Sequence, residues 1–255
     1  MPTLKRSEVT KFVQTNIWPL FHEKRIHSLQ ELQLKEILKR KNPYLYRAKN
    51  TLTAEQIIKS FLEAHLSSQE ETIFGGFLED LAIFVCKKVF NGEKSSAEGI
   101  DLEFNRDGIR YLVTIKSGPN WGNSSQVNKM KEDFRTAFRR IRQRDRNAHI
   151  IAVNGCCYGK IKNPNKKEYY KYCGQQFWEL ISGNDNLYKD IIEPMGHKAK
   201  QRNEEFNIEY AAIVNRFSKD FIDMFCNEYG SINWKKLIEF NSGKYPDLKP
   251  IRRSK

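Results

Sequence analysis

The chain has 255 residues, 39% hydrophobic and 29% charged, enough for a packed core and too apolar for a disordered segment. With 14 Gly and 8 Pro it is neither collagen-like nor of low complexity. No apolar run approaches the roughly 20 residues of a membrane span, and the first residues lack the apolar core of a signal peptide, so an intracellular chain is expected.

The 44 Lys and Arg against 31 Asp and Glu leave a net charge of +13. That surplus suits a polyanionic partner, most often nucleic acid, or simply a lysine-rich solvated surface. Cys86, Cys156, Cys157, Cys173 and Cys226 form no CxxC pair and lie far from the histidines in sequence. No structural zinc site is expected; they read as small core thiols of a reducing compartment.

In chain order, residues 5–40 carry apolar residues at helical spacing, interrupted at Pro19, and Asn42-Pro43 is a break. Thr53-Ala-Glu-Gln56 reads as a capping box opening a helix to about Leu66. Ile73–Phe90 predicts a further helix, apolar on nearly every side, that stops at Asn91-Gly92. The texture then changes. Gly99–Phe104 alternates apolar and acidic residues, Asp107-Gly108 marks a hairpin turn, and Arg110–Lys116 returns as a second strand. After a polar loop, Val127, Met130, Phe134, Phe138 and Ile141 mark an amphipathic helix that Ser124 or Ser125 would cap. His149–Val153 reads as a buried strand and Tyr169–Cys173 as a fourth, followed by a helix through Phe177, Trp178, Leu180 and Ile181. From Ala199 to Phe240 the pattern is helical again. This order predicts an α/β (α+β) fold, a central mixed sheet flanked by helices. We expect one domain with a helical segment 1–70, a core 71–195 and a helical segment 196–255.

Side chains alternate along a strand, so Arg110, Leu112, Thr114 and Lys116 share one face of the second strand. Asp101 and Glu103 share a face of the first, opposite Ile100, Leu102 and Phe104. A twisted hairpin brings Asp101 towards Lys116 at the end that opens onto the polar loop, as a site requires. A carboxylate there suits Mg²⁺, a hard cation that prefers oxygen. Such an ion neutralises a phosphate and acidifies a bound water, and a neighbouring lysine orients or deprotonates that water. Those are the parts needed to hydrolyse a phosphodiester. Taken alone, the two residues fit a weak ion pair at a strand end better.

The wider pattern changes that weighting. Glu79, Asp101 and Thr114-Ile-Lys116-Ser-Gly118 together resemble the PD-(D/E)XK nuclease superfamily. Within it, Phe74-Gly-Gly-Phe-Leu-Glu-Asp80, Ile115-Lys-Ser-Gly-Pro-Asn-Trp-Gly122 and Cys173-Gly-Gln-Gln-Phe-Trp178 are similar to type II restriction endonucleases. Asn42-Pro-Tyr-Leu45 resembles the N-terminal part of a group that cuts short, GC-rich palindromic sites. The resemblance spans residues 40–195. It implies the restriction-endonuclease-like core, with Asp101 as the metal aspartate, Lys116 as the catalytic lysine and the Ile115 carbonyl as a metal ligand. Two positions depart from the pattern. Ile100 stands where the name-giving motif has proline, a common variation. Thr114 stands where the family usually has Glu or Asp, so a second metal carboxylate must come from elsewhere. Glu79 is the candidate, because the family often draws a glutamate from the helix before the hairpin. Its helical neighbours Ala82, Ile83 and Cys86 are apolar, and a carboxylate there needs a partner. Gly75 and Gly76 would permit close backbone approach. The alternatives are a Glu79 that escapes to water and Glu103 as the ligand.

For DNA contacts we single out Asn120, Asn123, Ser124 and Gln126 in the loop after Lys116. Arg135, Arg139 and Arg142 follow on the amphipathic helix, whose basic stripe suits a phosphate backbone or an ordinary solvated face. Lys160 and Lys162 belong to a second basic cluster. The reading is a Mg²⁺-dependent type II restriction endonuclease, with Mn²⁺ able to substitute, acting on double-stranded DNA in a prokaryotic cytoplasm. A homodimer would match a palindrome. No GxxxxGK[ST] loop exists, so no use of ATP is expected. The alternatives are a repair or junction-resolving nuclease on the same scaffold, or a non-catalytic nucleic-acid-binding protein.

Overall fold

The hairpin sets the architecture. Asp107 and Gly108 both take positive φ, 53° and 76°, the backbone of a two-residue type I′ turn. The turn joins β2 (Leu102–Arg106) antiparallel to β3 (Ile109–Lys116), with Arg106 opposite Ile109 and Leu102 opposite Val113. In the computed structural model, which describes residues 4–244, β3 pairs parallel with β4 (Ile150–Cys156) and β4 parallel with β5 (Tyr170–Cys173). A short β1 (Glu93–Lys94) edges β2 and completes a five-stranded mixed sheet in the order β1-β2-β3-β4-β5. The expected mixed sheet with flanking helices is what the chain forms. Strand β1 goes beyond the expected strands, because two exposed charged residues carry no alternating signal.

Contacts divide the chain into two units: Met1–Lys24 with Glu70–Lys200, and Arg25–Gln69 with Gln201–Lys255. The first holds the sheet. One sheet face, Leu102, Phe104, Val113, Ile115 and Val153, packs on Val9 and Val13 of α1 (Arg6–Ile17) and on Phe77, Leu81 and Val85 of α5 (Ala54–Phe90). Phe177 and Trp178 of α7 (Gln175–Ser182) join that core, and Trp178 Nε1 donates to the Cys157 carbonyl at 2.8 Å. The other face, Leu112, Ile150 and Ala152, packs on Met130, Phe134 and Ala137 of α6 (Ser124–Arg144). Truncating a ring as buried as Phe77 to alanine would cost about 3–5 kcal/mol. Ile100 corrects the expected faces: it packs with the α6 side, not with Leu102 and Phe104. Regular strand starts only at Leu102, after Gly99 has turned the chain with a φ of 74°.

The second unit is helical. It comprises most of α2 (Glu23–Gln30), then α3 (Leu34–Arg40), α4 (Pro43–Ala48), the first half of α5, α8 (Ala199–Phe225) beyond residue 200, and α9 (Trp234–Ser242). Its own core gathers Ile57, Ile58 and Leu62 against Phe217, Phe221, Phe225 and Leu237. The Asn42-Pro43 break is a helix start: Asn42 Oδ1 accepts from the Tyr44 and Leu45 amides, and Pro43 occupies the first turn.

Three helix boundaries differ from expectation. The capping box at Thr53 forms, with Gln56 N donating to Thr53 Oγ1 at 3.2 Å and Thr53 N to Gln56 Oε1 at 3.3 Å. The helix it opens does not end near Leu66 but runs 37 residues to Phe90. Residues 67–72 include no proline, and Gln69, Glu70 and Glu71 are strong helix formers, so nothing stops it. The helix α6 is capped by Asn123, not by Ser124 or Ser125, because Gln126 closes the reciprocal box on Asn123. The pattern expected as continuous from Ala199 to Phe240 breaks after Phe225, where a turn ending in Ser231 folds back onto Asn227. The part of the expected C-terminal helical segment beyond residue 244 lies outside the described residues. Among the described residues no helix is long and apolar enough to cross a membrane.

Candidate active site

Strands β3, β4 and β5 run in the same direction, so their C-terminal ends meet at one edge, with Lys116, Cys156 and Cys173 in a single register row. Crevices outside the carboxyl ends of parallel strands are where open α/β sheets bind ligands. The antiparallel β2 enters at that same edge, which is why Asp101 arrives there. Its amide still donates to the Val113 carbonyl at 2.9 Å, but its side chain replaces the next rung of the ladder. Asp101 Oδ2 accepts from the Ile115 amide at 2.6 Å and stands 3.9 Å from Lys116 Nζ. Carbonyls alternate along a strand, so that of Ile115 points to the same side as that of Val113, towards Asp101.

Glu79 sits on α5, its side chain 27% exposed, with Lys94 Nζ 3.7 Å away. Burial raises its pKa above the ordinary carboxylate value, and the nearby Asp101 charge raises it further. Lys94 and Lys116 act in the opposite sense. Glu79 and Asp101 are thus two carboxylates close enough to repel, a conflict that a cation between them would relieve. With the Ile115 carbonyl they would offer only oxygen donors, the chemistry that suits a hard divalent ion. Among the described residues, no group of three or more His, Cys, Asp and Glu side chains gathers as a metal site. Glu103 is engaged elsewhere: Arg110 Nη2 donates to it at 2.6 Å, and the Ser95 hydroxyl is bonded to it.

The surrounding loops are tightly stitched. Cys157 N donates to the Lys116 carbonyl at 2.9 Å, and Tyr158 N to that of Ser117 at 3.0 Å. Lys171 Nζ holds the Pro119 carbonyl at 2.6 Å. Gly159, at φ 93°, lies where an added Cβ would come within 2.6 Å of Pro119. A Cβ at Gly75 would run into the Ser117 hydroxyl, so α5 approaches this loop closely there, whereas a Cβ at Gly76 would meet nothing, against the expectation for that residue.

Compared with known protein families, residues 7–203 match the model of the Type II restriction endonuclease EcoO109I family. The chain belongs to this family. No curated protein matches the chain. As a member of the EcoO109I family it is a site-specific deoxyribonuclease, a hydrolase of a restriction system whose partner is DNA.

Within this EcoO109I-family chain the expected DNA contacts fall into two groups. Asn120, Asn123, Ser124 and Gln126 are exposed in the loop and first turn after Lys116. The oxygens of Asn123 and Gln126 are spent on the capping box, which leaves their amide nitrogens for a ligand. Arg135 and Arg139 are already ion-paired: Arg135 with Glu132 and Glu168, Arg139 with Glu132 at 3.2 Å. Arg142 has no ion pair among the described residues and lies 5.9 Å from the Phe138 ring centroid. Lys160 and Lys162 are exposed in the loop after β4. Two participants escape sequence reasoning. Lys94 reaches Glu79 from a strand with no pattern. Asn154, buried in the apolar β4, links Thr114 to Trp121; a polar residue in so apolar a strand was its signal.

Proposed function

We propose that this endonuclease cuts double-stranded DNA at a short, GC-rich palindromic site, as a homodimer, with Mg²⁺ and without ATP. The reading is carried by one observation: Asp101 is bound to the Ile115 amide at 2.6 Å and lies 3.9 Å from Lys116 Nζ at the open edge of the sheet. Asp101, Glu79 and the Ile115 carbonyl would hold Mg²⁺, for which Mn²⁺ would substitute. When bound, the ion offsets phosphate charge and lowers the pKa of a water. Lys116 holds the attacking water and donates to the charge that develops on the phosphate. Asn120, Asn123, Ser124, Gln126, Lys160 and Lys162 bind the backbone next to the cut, and Arg135, Arg139 and Arg142 extend the contact along α6. The GC-rich site rests on the resemblance of Asn42-Pro-Tyr-Leu45, and the homodimer on the two-fold symmetry of a palindrome. The enzyme acts in the cytoplasm of a prokaryotic cell, where its DNA is.

Plasmid DNA incubated with the protein and Mg²⁺ should yield discrete fragments whose ends map to one palindrome. Excess EDTA should stop the reaction. Cutting in EDTA removes the metal from the reading, an absolute need for ATP removes the simple type II mechanism, and a smear removes site specificity.

A further inference from the structure

The position without its family carboxylate has not been left idle. Thr114 and Asn154 are each 1% exposed, yet both are hydrogen-bonded. Asn154 Nδ2 donates to Thr114 Oγ1 at 3.2 Å, and Asn154 Oδ1 accepts from Trp121 Nε1 at 2.9 Å. A polar chain therefore runs from β3 through β4 into the loop that follows Lys116. It ends at a ring that faces the lysine: Lys116 Nζ lies 5.4 Å from the Trp121 ring centroid, within reach of a cation–π attraction. Lys116 is thus held from two sides, by the Asp101 carboxylate at 3.9 Å and by the indole. A long lysine stem has several rotamers to lose, and a ring pinned at its nitrogen edge removes some of them in advance.

We infer that Trp121 is a positioning residue for Lys116 and that Asn154 acts through Trp121, fixing the indole so that its face stays beside the ammonium. This rests on the assignment of Lys116 to the cleavage step. Thr114 completes the arrangement as the buried acceptor that orients the Asn154 amide. The missing carboxylate at that position and the pinned tryptophan are then one design.

The test is single-turnover cleavage at saturating Mg²⁺, alongside DNA affinity in Ca²⁺ and thermal unfolding, for Trp121→Leu, Trp121→Phe, Asn154→Ala, Trp121→Leu with Asn154→Ala, and Lys116→Ala. Trp121→Leu should cleave roughly tenfold more slowly, the size expected from a part-buried cation–π interaction, with affinity unchanged and a small fall in melting temperature, because Asn154 Oδ1 loses its donor. Trp121→Phe, which keeps a ring but loses the Nε1 donor, should recover only part of that rate and cleave about as fast as Asn154→Ala. Asn154→Ala should slow cleavage alone and add nothing on top of Trp121→Leu. If Asn154→Ala does not fold, the two Trp121 variants decide. Wild-type cleavage by Trp121→Leu, or fully additive effects of the two changes, overturns the inference while an inactive Lys116→Ala leaves the assignment of Lys116 standing. An active Lys116→Ala enzyme overturns both.

Discussion

The open edge of the sheet and the outer face of α6 both carry dense charge, but they use it in opposite ways. Along α6, the basic side chains from Lys129 to Arg139 answer an acid of the same protein: Lys129 bonds Asp133 and Glu98, Lys131 bonds Glu168, and Arg135 and Arg139 share Glu132. Exposed pairs of this kind contribute about 0–1 kcal/mol each and are screened by salt. At the sheet edge, Glu79 and Asp101 repel one another, and Lys116 approaches Asp101 only to 3.9 Å. The first arrangement is close to neutral and costs little to change. The second is electrostatically incomplete, and an incomplete site has something left to give a substrate or an ion. Charge density alone therefore does not mark the site we propose in this chain; two carboxylates close enough to repel do.

The contrast breaks most visibly at the carboxylates. Glu79→Gln, Asp101→Asn and Lys116→Ala should each slow single-turnover cleavage by roughly a thousandfold or more, about 4 kcal/mol of transition-state stabilisation, while specific DNA binding survives. Glu103→Gln should cleave within a few fold of wild type, since its partners are Arg110 and Ser95. A dead Glu103→Gln beside an active Glu79→Gln would move the second carboxylate to the hairpin.

Placing a carboxylate at Thr114, where the superfamily that the sequence resembles usually has one, should not help. Its side chain is buried among Asn154 and Met130, so Thr114→Glu places a charge where nothing solvates it. Urea unfolding should show a loss of about 3–5 kcal/mol, with no gain in cutting. A stable and more active variant would mean that the position can swing to the site.

A smaller effect is expected from Gly159→Ala. The residue takes φ 93° and packs on Pro119, so a methyl group strains the backbone and pushes on the loop carrying Trp121. Stability measured by thermal unfolding should fall by about 1–3 kcal/mol, and cleavage should slow more than binding weakens. The mildest change sharpens the contrast on α6 itself. Arg142→Glu with Arg146→Glu should flatten the dependence of DNA affinity on salt by about 0.9 for each phosphate that is no longer neutralised. Arg135→Glu with Arg139→Glu should do so less, because Glu132 and Glu168 already engage those charges. Equal slopes for both pairs would show that the internal ion pairs open on DNA.

What was legible in the sequence was local. The alternation of Leu102 to Phe104, the Asp107-Gly108 turn and the return to Lys116 define a register within a few residues, and that register brings Asp101 towards Lys116. The continuity of α5 was less legible, because Leu66 and Ile73 bracket a polar stretch that looks like a loop; only its helix-forming glutamates and the lack of a stop signal told otherwise. Of the Thr114–Asn154–Trp121 chain only the polar Asn154 in an apolar strand was legible, not its partners. The chain joins three segments, and its middle member depends on which strand lies beside β3. The pairing of Arg135 with Glu168 is hidden for the same reason: the two residues stand 33 positions apart and meet only after the sheet has formed.

The cysteines have a practical consequence. Cys86, Cys156, Cys157 and Cys173 are buried in the sheet unit, and Cys226 is partly exposed in the helical one. Burial pushes the Cys86 and Cys156 thiols up to about 12 and raises Cys157 further, so none of the three forms a reactive thiolate near neutral pH. In the native protein a maleimide dye should therefore attach at Cys226 first. The sheet thiols become reagents only when their own unit opens, and the rate at which they are then alkylated is a clock for that opening.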